Sequence, residues 1–226
     1  MALKIPPLCI SVGGCEVKPS AKAKNLGVII NHNATMDEQV SSVCRSCYQQ
    51  LRCLRKIQRF VSRDALEKLI HAFITSKVDY CNALYIGIPQ FQLRRLQRVQ
   101  NCAARLLTGA DRNERMTPIL KQLHWLPVEQ RVKFKILLLV YKAANGIAPQ
   151  YLCDMIKTNV PSRTLRSNDH VQLCIPFTRS SLVKNCCFSF IGPYLFNSLP
   201  PHVRSSDTVE SFKRNLKTHL FSQSFL

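Results

Sequence analysis

In the stretch Phe91-Gln92-Leu93-Arg94-Arg95-Leu96-Gln97-Arg98-Val99-Gln100-Asn101-Cys102-Ala103-Ala104-Arg105-Leu106-Leu107, apolar residues recur at helical spacing. Leu96, Val99, Ala103 and Leu106 fall on one side of a helix, and Arg94, Arg98, Asn101 and Arg105 fall in a narrow sector opposite. Gly109 accepts the left-handed conformation that ends a helix. A helix with a core side and an arginine side implies a helical bundle whose outer surface meets anions. The arginine stripe spans roughly 16 Å at 1.5 Å per residue, enough for several successive phosphates, and guanidinium forks match phosphate oxygens in pairs.

Towards the N-terminus the same design appears again. Thr35 and Glu38 have capping-box spacing and predict a helix start. Met36, Val40, Val43, Cys47, Leu51 and Leu54 mark its apolar face, and Arg45, Arg52, Lys56 and Arg59 face away from it. Ser62 as cap and Asp64 in the first turn predict a second helix through Leu66, Leu69, Ile70 and Phe73 to about Tyr80. No acidic residue stands between Glu38 and Asp64, or between Asp79 and Asp111. Exposed helices ordinarily interleave Glu and Lys four residues apart; here that stabilisation is unused, at some cost in self-repulsion. Affinity for phosphate backbones, without sequence specificity, explains the omission. The plainer alternative is a pair of solvated faces whose charge only opposes self-association.

Working further outward, Thr117-Pro118 and Leu126-Pro127 place proline where a first helical turn loses no hydrogen bond. The second of these helices, from about Val128 to Ala144, carries Val132, Ile136, Leu139 and Val140 and stops at Asn145-Gly146. Residues 158–170 turn to Pro, Ser, Thr, Asn and Arg and read as a loop. Beyond them, Val171 to Ile175 suggests a strand, Asn185 to Phe196 is ambiguous, and Asp207 with Glu210 predicts a final helix to about Phe221. The first thirty residues, with Leu8-Cys9-Ile10 and Leu26-Gly27-Val28-Ile29-Ile30 separated by Gly13-Gly14, read as a small β-hairpin or three short strands. The expected class is mainly α with a small N-terminal β-hairpin (α+β). Its segments are a hairpin at 1–31, a helical domain at 32–157, a loop at 158–170 and a mixed C-terminal extension at 171–226.

Thirty-two Lys and Arg against thirteen Asp and Glu give a formal charge of +19, so a polyanionic partner is the first inference. The longest apolar run, Ile136 to Tyr141, is far short of the ~20 residues that span a bilayer, and residues 1–7 lack the sustained apolar core of a signal peptide, so no membrane partner and an intracellular location are expected. Eleven cysteines, an odd count lying largely among helical patterns, fit reduced thiols better than a disulfide scaffold. Cys44-Arg45-Ser46-Cys47 is a CxxC match without a second pair or histidines at finger-like spacing, and no metal or cofactor is expected. The six histidines are scattered singly. There is no phosphate-binding glycine loop, GxSxG elbow or HExxH.

Six phrases in order carry a resemblance: Asn25-Leu26-Gly27-Val28-Ile29-Ile30, Val78-Asp79-Tyr80-Cys81-Asn82-Ala83-Leu84, Leu96 to Leu106, Thr117 to Pro127, Phe196-Asn197-Ser198-Leu199-Pro200 and Ser211-Phe212-Lys213. Together they resemble the C-terminal, post-catalytic part of reverse transcriptases from non-LTR, LINE-like retrotransposons of the CR1, L2 and Jockey group. Two departures are Asn31, where the family usually has Asp, and Phe196, where it usually has Trp. The resemblance implies strands at the end of a palm, helices of a thumb that cradles a template-primer duplex by its RNA or DNA backbone, and a C-terminal extension. It also implies a missing palm domain as a structural partner. Two-metal polymerisation needs clustered carboxylates, which the family supplies upstream in an aromatic-x-Asp-Asp turn. Here no Asp-Asp pair exists, and no catalytic residue is carried over. The expected function is nucleic-acid contact by a catalytically incomplete unit; the alternatives are a helical protein-protein interaction module or a genomic relic.

Overall fold

The computed structural model describes residues 10–17, 20–33, 35–159 and 172–225. Most of them are helical, and the strands are confined to the N-terminal part as two separate antiparallel hairpins. β1 (Ile10–Val12) pairs with β2 (Cys15–Val17) across Gly13-Gly14. β3 (Lys22–Asn25) pairs with β4 (Val28–Asn31), with Lys22 opposite Asn31. The chain is mainly α with a small N-terminal β element, as expected; only the strand count differs, two hairpins among the described residues in place of one hairpin or three strands, and the difference lies at Leu26-Gly27. This pair is the turn, with φ of 46° and 83°, and not the start of an apolar strand. Tyr80 closes over it: its hydroxyl donates to the Leu26 carbonyl at 2.6 Å, and its ring lies against Gly27. Leu8 and Cys9 lie outside the described residues.

Helix α1 (Asp37–Ile57) does not begin with the expected capping box. Met36 sits in the left-handed region, and Thr35 is engaged elsewhere: its N–H donates to Asn31 Oδ1 (3.0 Å), and its hydroxyl accepts from Asn31 Nδ2 (2.8 Å). The Ile29 N–H donates to the buried Gln39 side chain at 2.9 Å. Strand β4, not a local cap, therefore fixes the start of α1. The chain then leaves α1 through a single 3-10 turn (Gln58–Phe60).

Ser62 caps α2 (Arg63–Ile70) as expected, accepting from the Ala65 N–H. The helical run continues to α3 (Ser76–Asp79), but through a π-helical segment, His71–Thr75. Leu66, Ile70, Ile74 and Val78 are all buried, and they are spaced by four. An ordinary helix drifts ~40° per four residues, and the wider π turn takes up that drift. Phe73, expected in the core, is consequently 42% exposed, and Ile74 takes its place.

Helix α4 (Gln90–Thr108) ends at Gly109, φ 72°, within a residue of expectation. α5 (Met116–Gln122) closes in a Schellman arrangement, with Trp125 N–H on the Leu120 carbonyl and His124 N–H on that of Lys121, and His124 left-handed. α6 (Val128–Ala144) has its expected bounds, and α7 (Gln150–Cys153) follows. Its start is tied to α4: Gln97 accepts from the Val128 N–H, and Gln100 donates to the Leu126 carbonyl. Arg131 grips the Asp79 carboxylate with Nε and Nη2, joining α6 to α3.

Of the expected loop, only residues 158 and 159 are described. The expected strand from Val171 to Ile175 is reduced to a single bridge, Thr158 to Leu173, with Val171 outside the described residues. The Asn197 amide holds both backbone groups of Leu173 and so replaces a strand neighbour. The ambiguous segment is helical: α8 (Ser181–Cys186) and α9 (Phe188–Asn197), followed by α10 (Pro201–Arg204) and α11 (Val209–Phe225). Thr208 and Ser211, bonded reciprocally, start α11 in place of Asp207 and Glu210. α9 and α11 pack on α6, and one hydrophobic core runs from Val28 through Leu220. Residues from both sides of 158–170 share it. Among the described residues no helix is long and apolar enough to cross a membrane.

Candidate nucleic-acid interface

Helices α1 and α4 pack side by side, and hydrogen bonds at both ends fix their sense. Gln92, in the first turn of α4, donates to Asp37 at the start of α1; Gln58, just past α1, donates to the Leu106 carbonyl near the end of α4. The helices therefore run parallel. Their buried sides point the same way, Val40, Cys47, Leu51 and Leu54 from α1 and Leu96, Val99, Ala103 and Leu106 from α4. Their outer sides consequently form one surface with a seam between them.

That surface is basic. Arg45, Arg52 and Lys56 on α1 and Arg94 and Arg98 on α4 are exposed, and among the described residues none takes part in an ion pair or hydrogen bond. Arg45 from α1 and Arg98 from α4 flank the seam, where a cleft of about 430 Å³ is lined by Ser41, Cys44, Arg45, Tyr48, Arg95 and Arg98. Arg95, absent from the expected stripe, is half-buried, and its Nη1 donates to Gln92 Oε1 at 2.9 Å. It sits about a quarter-turn from the Arg94–Arg98 sector, on the side facing α1.

Three expected site residues are placed differently. Arg59 lies on the 3-10 turn beyond α1, its guanidinium 5.0 Å over the Phe60 ring. Asn101 is half-buried and accepts from Gln97 at 2.8 Å. Arg105 is half-buried and reaches the carbonyls of Asp111 and Glu114, so it secures the loop after α4 before any phosphate. Among the described residues Arg105 forms no ion pair.

Cys44 and Cys47, one turn apart on α1, are buried thiols. Burial raises both, that of Cys47 to about 11, against the smaller opposing effects of Arg95 on Cys44 and Lys77 on Cys47. Among the described residues no three His, Cys, Asp or Glu side chains gather into a metal-binding group. The six phrases quoted above supply packing and connections, such as Asp79 on Arg131, Gln100 on Leu126 and Asn197 on Leu173. No family model, curated protein or solved structure matches the chain.

Proposed function

We propose that the chain holds nucleic acid by its phosphate backbone on the α1–α4 face, in the manner of the thumb of a non-LTR retrotransposon reverse transcriptase, and forms no phosphodiester bonds by itself. One observation carries this reading: five exposed cations, Arg45, Arg52, Lys56, Arg94 and Arg98, lie on one face of two parallel helices and form no ion pair among the described residues. Contacts of this kind position a duplex without reading its sequence.

Fluorescence anisotropy with a primer-template duplex tests it. If about four of these cations neutralise phosphates together, log affinity falls against log salt with a slope of about −3.6. Arg94→Glu with Arg98→Glu weakens binding and brings the slope to about −1.8. Absence of binding at low salt refutes the reading.

A second reading, a protein-docking helical module, is favoured by a different feature. A largely apolar cleft of about 580 Å³ opens beside Met36, Ile88 and Ile191, with Leu84 and Phe91 exposed at 45% and 59%. That reading requires a protein complex indifferent to charge reversal on α1 and α4.

A further inference from the structure

We infer that the cleft at the α1–α4 seam is a seat for a single phosphate group, with Arg95 as its inner ligand and Arg45 and Arg98 at its mouth. The inference builds on the backbone-binding reading and adds a discrete site to it. A smooth basic surface holds a polyanion by its average field, whereas this seam has depth. Its lining contains three guanidinium groups and no carboxylate; the Ser41 hydroxyl there is already donated to the Asp37 carbonyl, so the arginines are what an anion would meet.

The inner arginine is held in position. Gln92 is 3% exposed; its amide nitrogen is committed to Asp37 and its oxygen to Arg95, so the Asp37-Gln92-Arg95 chain fixes one edge of the guanidinium. The remaining donors of that planar fork suit the oxygens of one phosphate. The nearest carboxylates are otherwise engaged. Asp37 accepts from Gln92, and Glu38 lies 3.8 Å from Lys22 in a neighbouring depression that Arg45 also borders.

The probe is inorganic phosphate, titrated calorimetrically into the whole chain in low-salt chloride buffer. Arg95→Gln, Arg98→Gln and Arg94→Gln each remove one charge from the same helix, but Arg94 does not line the cleft. Saturable one-to-one binding is expected, weakened about tenfold or more by Arg95→Gln and by Arg98→Gln and nearly unchanged by Arg94→Gln. No saturable binding, or equal loss in all three variants, overturns the seat. Circular dichroism checks that each variant is folded; if Arg95→Gln is not, Arg98→Gln decides, because the exposed Arg98 makes no hydrogen bond or ion pair among the described residues.

The two readings fail separately. Duplex binding without phosphate binding removes the seat and leaves the backbone-binding reading, and phosphate binding without duplex binding does the reverse. Once the seat is established, duplexes ending in a 5′-phosphate or a 5′-hydroxyl identify its source. Preference for the former assigns the seat to strand ends, and equal affinity assigns it to internal phosphodiesters.

Discussion

Replacing Phe212 by Ala tests whether the C-terminal helices and the α1–α4 bundle stand or fall together. Phe212 is fully buried on α11. Its ring stacks on Tyr141 of α6 at 4.1 Å and 15°, and lies 6.3 Å from Phe196 of α9. Tyr141 is pinned by its hydroxyl, which donates to the Ser206 carbonyl at 2.6 Å, so it cannot swing into the space left behind. Truncating a buried phenylalanine costs 3–5 kcal/mol, and a rigid, doubly stacked site should sit near 4 kcal/mol. For a chain of this size, that corresponds to a drop of about 8–16 °C in Tm. Trp125, the sole tryptophan, is 7% exposed in the connection between α5 and α6, remote in sequence from the mutated helix. Its fluorescence and the far-UV circular dichroism should give one coincident urea transition in the parent and again one in the variant, the variant's at lower urea. A Trp125 midpoint left in place while helical signal disappears would show that residues 172–225 unfold alone, and the shared-core argument would fail.

Two further predictions concern the interior. With its thiol pushed up to about 11, Cys47 is only about one-thousandth thiolate at pH 8, and the thiolate is the reactive form; iodoacetamide labelling read by mass spectrometry should modify exposed Cys53, Cys174 and Cys186 and spare Cys44 and Cys47 until the chain is unfolded. Gly192→Ala places a methyl 2.7 Å from Val140 Cγ2, where α9 crosses α6. Because a β-branched side chain has little rotamer freedom, the variant should lose about 1–3 kcal/mol in urea titration, and unchanged stability would show that α9 slides freely on α6.

Where one helix carried its own signals, the sequence was enough to locate it. α4 and α6 are bounded by Pro89, Gly109, Pro127 and Asn145-Gly146, each acting through local backbone geometry, and Ser62 caps α2 as its type and position require. What escaped depended on contacts between segments. Thr35 has the right spacing for a cap, yet Asn31 competes for it. Phe73 fits a 3.6-residue period that the π segment abandons, and Leu26 looks apolar enough for a strand while the chain needs it in a turn. The site divides in the same way. Exposure of Arg45, Arg52, Lys56, Arg94 and Arg98 follows from the helical wheel. That Arg105 turns back to two carbonyls, and that Arg95 leans into a cleft, follows from what α4 packs beside. Only the lack of acidic residues between Asp79 and Asp111 bore on Arg95 in advance.

The single basic face has a topological cause. α1 and α4 are parallel because the run from Arg63 to Asp79 returns the chain between them, and that run packs against both helices. With the return segment contributing Leu66, Ile70, Ile74 and Val78 to the core, the outer flanks of α1 and α4 stay free on one surface. Had the connection been a short loop, α4 would have run antiparallel to α1, and a stripe on each helix would not bring Arg45 beside Arg95 and Arg98 in the present register. Helix dipoles add little, because their influence fades within a turn and the seam's arginines lie deeper along both helices. Attraction for anions therefore resides in the side chains. Its concentration at one seam is a property of the fold, which no single helix of this sequence possesses.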